Sequence, residues 1–302
     1  MTTMPPLSSL PPPIVASAAD LPPAAGAILE LDDAPEFGIV ESGGIPFATR
    51  AWGDLAAAPV LLVHGVTASS RIWWRVGPAL ASGLARRVVA VDQPGHGRTG
   101  HWVGHPRFAD NAADLAGFIA AAGLVRPDLA VVGHSWGGMT AACLPAAGIR
   151  PEVLVLLDPP AITAAAIATM LDDPNQRQYE DVDEAITALG DLHPTWAYGD
   201  VVAKAEALTQ FDEPAVRAIL TGNGDWDGGL AALLDPAATD VPARLVRGDP
   251  EAGGLIPDAM AARLAERIGA GNVLTIAGGS HAPMRTRIEA TVLALLRALR
   301  PG

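Results

Sequence analysis

From residue 38 onward the chain alternates short, almost unbroken apolar runs with longer stretches of helical period. "PVLLVHG" (59–65), "RRVVAVDQPGHG" (86–97), "DLAVVGHS" (128–135) and "PEVLVLLDPP" (151–160) each drop from an apolar run into a polar turn. "PARLVRGD" (242–249) and "NVLTIAGGSH" (272–281) repeat the design, and "GIPFATRAWG" (44–53) reads as a strand after a turn. Between these runs the pattern predicts helices near 69–82, 107–123, 136–148, 257–269 and 283–299. Apolar strands separated by helices specify an α/β architecture, a mostly parallel sheet covered on both faces. In such sheets chemistry gathers at the carboxyl ends of the strands. His64, Asp92, Ser135, Asp158, Asp249, Glu251 and His281 all fall there.

Residues 159–240 break the alternation. They are Ala-rich and mostly helical in pattern, and they separate two strands that should share one sheet. A helical cap over the strand ends is the expectation, able to close a pocket and exclude water. The core then comprises residues 37–158 and 241–302. Residues 1–36 hold eight prolines and no Lys or Arg, so the basic segment of a signal peptide is missing. They read as a Pro-rich leader, partly extended or disordered, or laid along the domain surface. A cytoplasmic location is expected.

Charge and cysteine content remove several function classes. A formal charge of -13 argues against a nucleic-acid partner. Lys204 is the only lysine, which leaves lysine-based phosphate loops almost no material. Cys143 is the only cysteine, so neither an intrachain disulfide nor a Cys-based metal site is available, and it reads as a small core residue. No apolar run reaches membrane-spanning length. No clustered basic set is expected to bind a phosphate or carboxylate substrate, Arg71 and Arg98 being isolated possibilities, so a small, mostly apolar, neutral substrate is expected. No metal or cofactor is expected, and the protein is expected to be a monomer or homodimer.

The chemistry centres on Gly133-His134-Ser135-Trp136-Gly137, a G-x-S-x-G pattern between an apolar run and a helix. A strand turning sharply into a helix displays its middle residue in strained backbone geometry, and small residues two places either side relieve the crowding. A serine hydroxyl needs a base to become nucleophilic. His281, after the last predicted strand and far downstream of Ser135, is the candidate.

"LLVHGVTAS", "VDQPGHGRT", "VVGHSWGG" and "GGSHAPMR", in this order and spacing, resemble the α/β-hydrolase family over roughly residues 38–300. The resemblance implies a mostly parallel eight-stranded sheet flanked by helices, with an inserted helical cap, and a serine esterase-like member. It implies an oxyanion hole from the backbone N–H groups of Val66 and Trp136. It casts His64 and His96 as loop architecture rather than bases. For the triad acid it leaves three positions: Glu251, three residues after Gly248, is favoured, with Asp158 and Asp249 as alternatives. The implied activity is cleavage of carboxylic esters, lactones or thioesters through an acyl-enzyme. Carbon–carbon hydrolysis, acyl transfer or perhydrolysis by the same triad is the alternative, and a silent hydrolase-fold binding protein a more distant one. Trp73, Trp196, Tyr198 and Trp226 are the candidate pocket residues, while Met139 and Met284 read as core.

Overall fold

The structure is a computed structural model and describes residues 10–29, 34–99 and 106–300. The apolar runs become β3 (Pro59–Val63), β4 (Arg87–Val91), β5 (Ala130–His134), β6 (Val153–Leu157), β9 (Ala243–Arg247) and β10 (Val273–Thr275). Ahead of them stand β1 (Glu36–Ser42) and β2 (Ile45–Trp52), while β7 (Ala161–Ile162) and β8 (Trp226–Asp227) form a separate pair. The eight-stranded sheet has the order β1-β2-β4-β3-β5-β6-β9-β10. Its pairs are parallel from β4 to β10, and β1–β2 and β2–β4 are antiparallel.

The central strands are buried at every position because both faces are covered. In β3, Val60 and Leu62 join one core cluster and Leu61 and Val63 the other, so the two-residue alternation persists inside a uniformly apolar run. The first cluster is covered by α2 (Val76–Leu84) and α12 (Ile288–Ala298), the second by α3 (Phe108–Ala121) and α10 (Asp258–Ile268). β1 has no signature in the hydrophobic pattern. It is an edge strand, mostly exposed, with Gly38 interrupting its apolar side chains.

Two expected helices differ. The one beginning at Trp136, α4 (Trp136–Ala142), stops short of Pro145, which has no N–H to continue the ladder. The last is split at Arg287 into α11 (Pro283–Thr286) and α12, Arg287 leaving the helical region at φ -146° and ψ 64°. The described part of the leader is not disordered. Ile14 donates its N–H to Thr275 O (2.7 Å) and accepts from Ala277 N (3.0 Å), a one-residue parallel bridge beside β10. The short helix α1 (Pro23–Ile28) follows, and Leu21 and Ala25 enter the first core cluster.

The insertion carries α5 (Ala164–Ala168), α6 (Val182–Leu192), α7 (Tyr198–Thr209) and α8 (Glu213–Thr221). Its neck is the β7–β8 pair, which ties Ile162 to Trp226. Above the neck lies a third apolar cluster of Ile167, Leu189, Val201, Leu208, Phe211, Val216 and Ile219, into which Val66, Trp136 and Met139 project from below. Met139 therefore packs against the cap rather than in the core, whereas Met284 lies in the first core cluster. Beyond the neck, α9 (Leu230–Leu234) returns Leu230 and Leu233 to the second core cluster, so the third cluster ends near Trp226. Among the described residues no helix is long and apolar enough to cross a membrane.

Candidate active site

Ser135 follows β5 directly and has φ 55° and ψ -127°, outside the regions open to most L-residues. The main chain imposes this geometry. Gly133 and Gly137 cross so closely that a Cβ on Gly133 would run into the Gly137 carbonyl, and one on Gly137 into those of Val63 and His64. The Ser135 N–H donates to Leu157 O (3.0 Å), and its carbonyl accepts from Gly138 and Met139 (2.8 and 3.2 Å). The hydroxyl is thereby presented at the strand end, beside the end of β6.

His281, in the loop after β10, bridges two groups. Its Nε2 lies 2.9 Å from Ser135 Oγ and its Nδ1 lies 2.7 Å from Asp158 Oδ2. Asp158 is fully buried, sits at φ 42° just after β6, and accepts from Gly248 N (2.9 Å, Oδ1) and Leu255 N (2.9 Å, Oδ2). A carboxylate so supplied with donors holds Nδ1 as the N–H and leaves the Nε2 lone pair facing the serine hydroxyl.

The structure does not bring Glu251 to His281. Gly254 N donates to Asp249 O (2.8 Å), closing residues 249–254 into a tight loop with Gly253 at φ 91°. Closure delivers the Leu255 N–H to Asp158 and turns Glu251 out into solvent. Asp249 is occupied locally, accepting from Glu251 N (3.1 Å) and Gly278 N (2.9 Å). The Gly253-Gly254 pair is what displaces the favoured acid.

Trp136 follows Ser135 directly, and Val66 follows Gly65 in the turn after β3. Gly65 approaches so closely that an added Cβ would lie 2.8 Å from Ser135 Cβ. Among the described residues neither the Val66 nor the Trp136 amide donates to a backbone carbonyl. His64 braces this turn: its Nδ1–H donates to Gly65 O (2.8 Å) and its Nε2 accepts from Gln93 N (3.0 Å). Burial pushes its pKa down to about 4, and that of His96, stacked on Trp136, to about 3, so both rings stay neutral. His134 has a role the sequence did not suggest. Its Nε2–H donates to the His281 carbonyl (2.8 Å), fixing the backbone that carries the His281 ring, and burial beside His281 holds its own pKa well below the usual range. Cys143 is half-buried at the end of α4, its thiol pushed up to about 11 by burial.

Residues 60–294 match the alpha/beta hydrolase family. Lipase LipV of Mycobacterium tuberculosis is 31% identical over 249 residues, covering 75% of this chain and 87% of that protein. The chain belongs to the alpha/beta hydrolase family. Among solved structures, E-2-(acetamidomethylene)succinate hydrolase superposes with a TM-score of 0.72 at 22% identity, covering 88% of this chain and 99% of that one. The esterase RhEst1 from Rhodococcus sp. ECU1013 gives 0.63 at 23% identity, covering 87% and 99%. These two likenesses concern the fold.

In this alpha/beta hydrolase the four candidate pocket residues do not line one pocket. Trp73 is fully buried in the first core cluster, edge-on to His134, and Trp226 is buried at the cap neck against Phe108. Tyr198 is 72% exposed. Trp196 alone joins polar groups at the seam between cap and core: His193 stacks on it at 3.7 Å and the Arg285 guanidinium lies 4.7 Å over its ring. The expectation of no basic cluster also fails. Lys204, His193 and Arg285, far apart in sequence, are assembled by the fold within electrostatic reach of one another.

Proposed function

We propose that the protein is a serine hydrolase cleaving carboxylic esters of small substrates through an acyl-enzyme. The observation that carries this reading is the His281 imidazole held between Ser135 Oγ and the buried Asp158 carboxylate. In the proposed cycle His281 Nε2 takes the serine proton as Oγ attacks the ester carbonyl. The oxygen that gains charge is held by the Val66 and Trp136 amides; such a donor is commonly worth about 10²–10³ in rate. The imidazolium, stabilised by Asp158, protonates the departing alcohol. His281 then deprotonates water, which attacks the acyl carbonyl and releases the acid. The similarity to a protein named as a lipase over three quarters of the chain supports the ester as the bond class.

The test is labelling and turnover together. Purified protein is expected to react with a fluorophosphonate probe and to hydrolyse a short-chain p-nitrophenyl ester, and Ser135→Ala to lose both. Undiminished turnover in Ser135→Ala overturns the proposal.

A further inference from the structure

In a chain of formal charge -13, the single lysine sits 4% exposed in the seam above the proposed oxyanion turn. From α7, Lys204 Nζ donates to Thr67 O (3.0 Å), Thr67 Oγ1 (3.0 Å) and Gln176 Oε1 (3.3 Å). Thr67 immediately follows Val66 and is held at φ 54°. All three acceptors are neutral. They solvate the ammonium without cancelling its charge, and removing a charge from water is costly when no counter-charge accompanies it.

A second cation approaches from the other side. Arg285 lies four residues beyond His281 on α11, with Nε buried and unpartnered, and among the described residues it has no ion pair. The two cations are ends of one assembly. Gln176, which accepts from Lys204, adjoins Asn175, whose Oδ1 accepts from His193 Nε2. His193 stacks on Trp196, and Trp196 carries Arg285.

The acids in reach do not neutralise this assembly. Asp200 is committed to Arg75 and to Trp74 Nε1 (2.8 Å). Asp173 is exposed and accepts from Asn175. Burial and the Arg285 charge hold the Lys204 pKa well below its usual range, and burial lowers that of Arg285 to about 10. An anion entering the seam would relieve both.

Resting on the hydrolase reading above, we infer that the preferred substrate is an ester bearing a carboxylate, received in the seam by Arg285 and Lys204 beside Ser135. A planar guanidinium suits a carboxylate, which it can grip with two parallel hydrogen bonds. Lys204 would add its charge from the oxyanion side.

The experiment compares matched ester pairs: mono-p-nitrophenyl adipate against p-nitrophenyl hexanoate, and 3-(acetoxymethyl)benzoate against benzyl acetate. These place the carboxylate on the acyl and alcohol sides in turn. At least one pair is expected to favour the anion by tenfold or more in kcat/KM, mainly through KM. That ratio should fall at least tenfold in Arg285→Gln and in Lys204→Met, and be partly restored in Arg285→Lys. Fluorophosphonate labelling of Ser135 reports that each variant is folded with a working nucleophile. Ratios of one or below in both pairs overturn the inference. So does an equal loss on neutral and anionic esters in both variants, which would make the cations supports of the turn. If wild-type protein neither labels nor turns over any ester, the hydrolase reading itself has failed.

Discussion

The strand ends that carry Ser135, Asp158 and His281 are held together mainly by main chain. Gly133 crosses Gly137, the Ser135 N–H binds Leu157 O, and Asp158 collects the Gly248 and Leu255 amides. The seam that covers them is held by buried and half-buried charged side chains. α7 presents Asp200 to Arg75 and Trp74, Lys204 to Thr67, and Glu206 to Arg71. Backbone contacts of the first kind leave no room for adjustment. Those of the second are side-chain pairs. The strand ends thus form a shelf held by main chain, and the seam is a contact held by side chains.

Several substitutions would break or sharpen that contrast. Asp158→Asn should have the largest effect, lowering kcat about 10⁴-fold, because the amide stabilises the wrong imidazole tautomer and no imidazolium; ester turnover reads it. Gly137→Ala should destabilise the fold by about 3 kcal/mol or more, since its Cβ meets carbonyls of the neighbouring strand end that cannot yield; denaturant unfolding reads it. Asp200→Asn keeps the shape at the seam but leaves buried Arg75 without its counter-charge. A loss of about 2–3 kcal/mol is expected there, visible as faster amide exchange in α6 and α7 than in β3–β6.

A smaller effect follows from the neutral histidines under the shelf. His64 and His96 have pKa values lowered to about 4 and about 3, against an ordinary 6.5. The unfolded chain therefore binds more protons than the folded one as pH falls below 6.5. Their contribution is complete above that pH and is lost as pH drops toward 4, at about 1.4 kcal/mol per unit for each ring. His96→Phe, which keeps a ring on Trp136, should shallow the fall of Tm between pH 7 and 5. Glu251→Gln should change ester turnover less than twofold, and a large loss there would return the acid's place to the loop after β9.

The same contrast explains what could be read in the sequence. The sheet, the serine turn and the late histidine are written in local patterns: unbroken apolar runs, glycines at fixed spacing, a polar turn after a strand. The carboxylate partner of His281 was not legible, because three candidate carboxylates stand at strand ends and only the closure of residues 249–254 decides which one faces His281. The seam was less legible still. Lys204, His193 and Arg285 meet only once the cap has folded onto the core, and no short window of sequence contains that event. β1 escaped for the opposite reason, being an edge strand with most of its side chains in solvent.

The bridge between Ile14 and the residues beside β10 bears on the order in which the molecule can be made. The segment at Ile14 docks beside a strand that lies about 260 residues later in the sequence. During synthesis that segment must wait unpaired for about 260 residues, at roughly 5–20 residues per second. Prolines throughout it keep it from committing early to a helix or a wrong strand. Ile14 can take its place only once β10 exists, so this bridge closes after the strand that leads to His281 has been made.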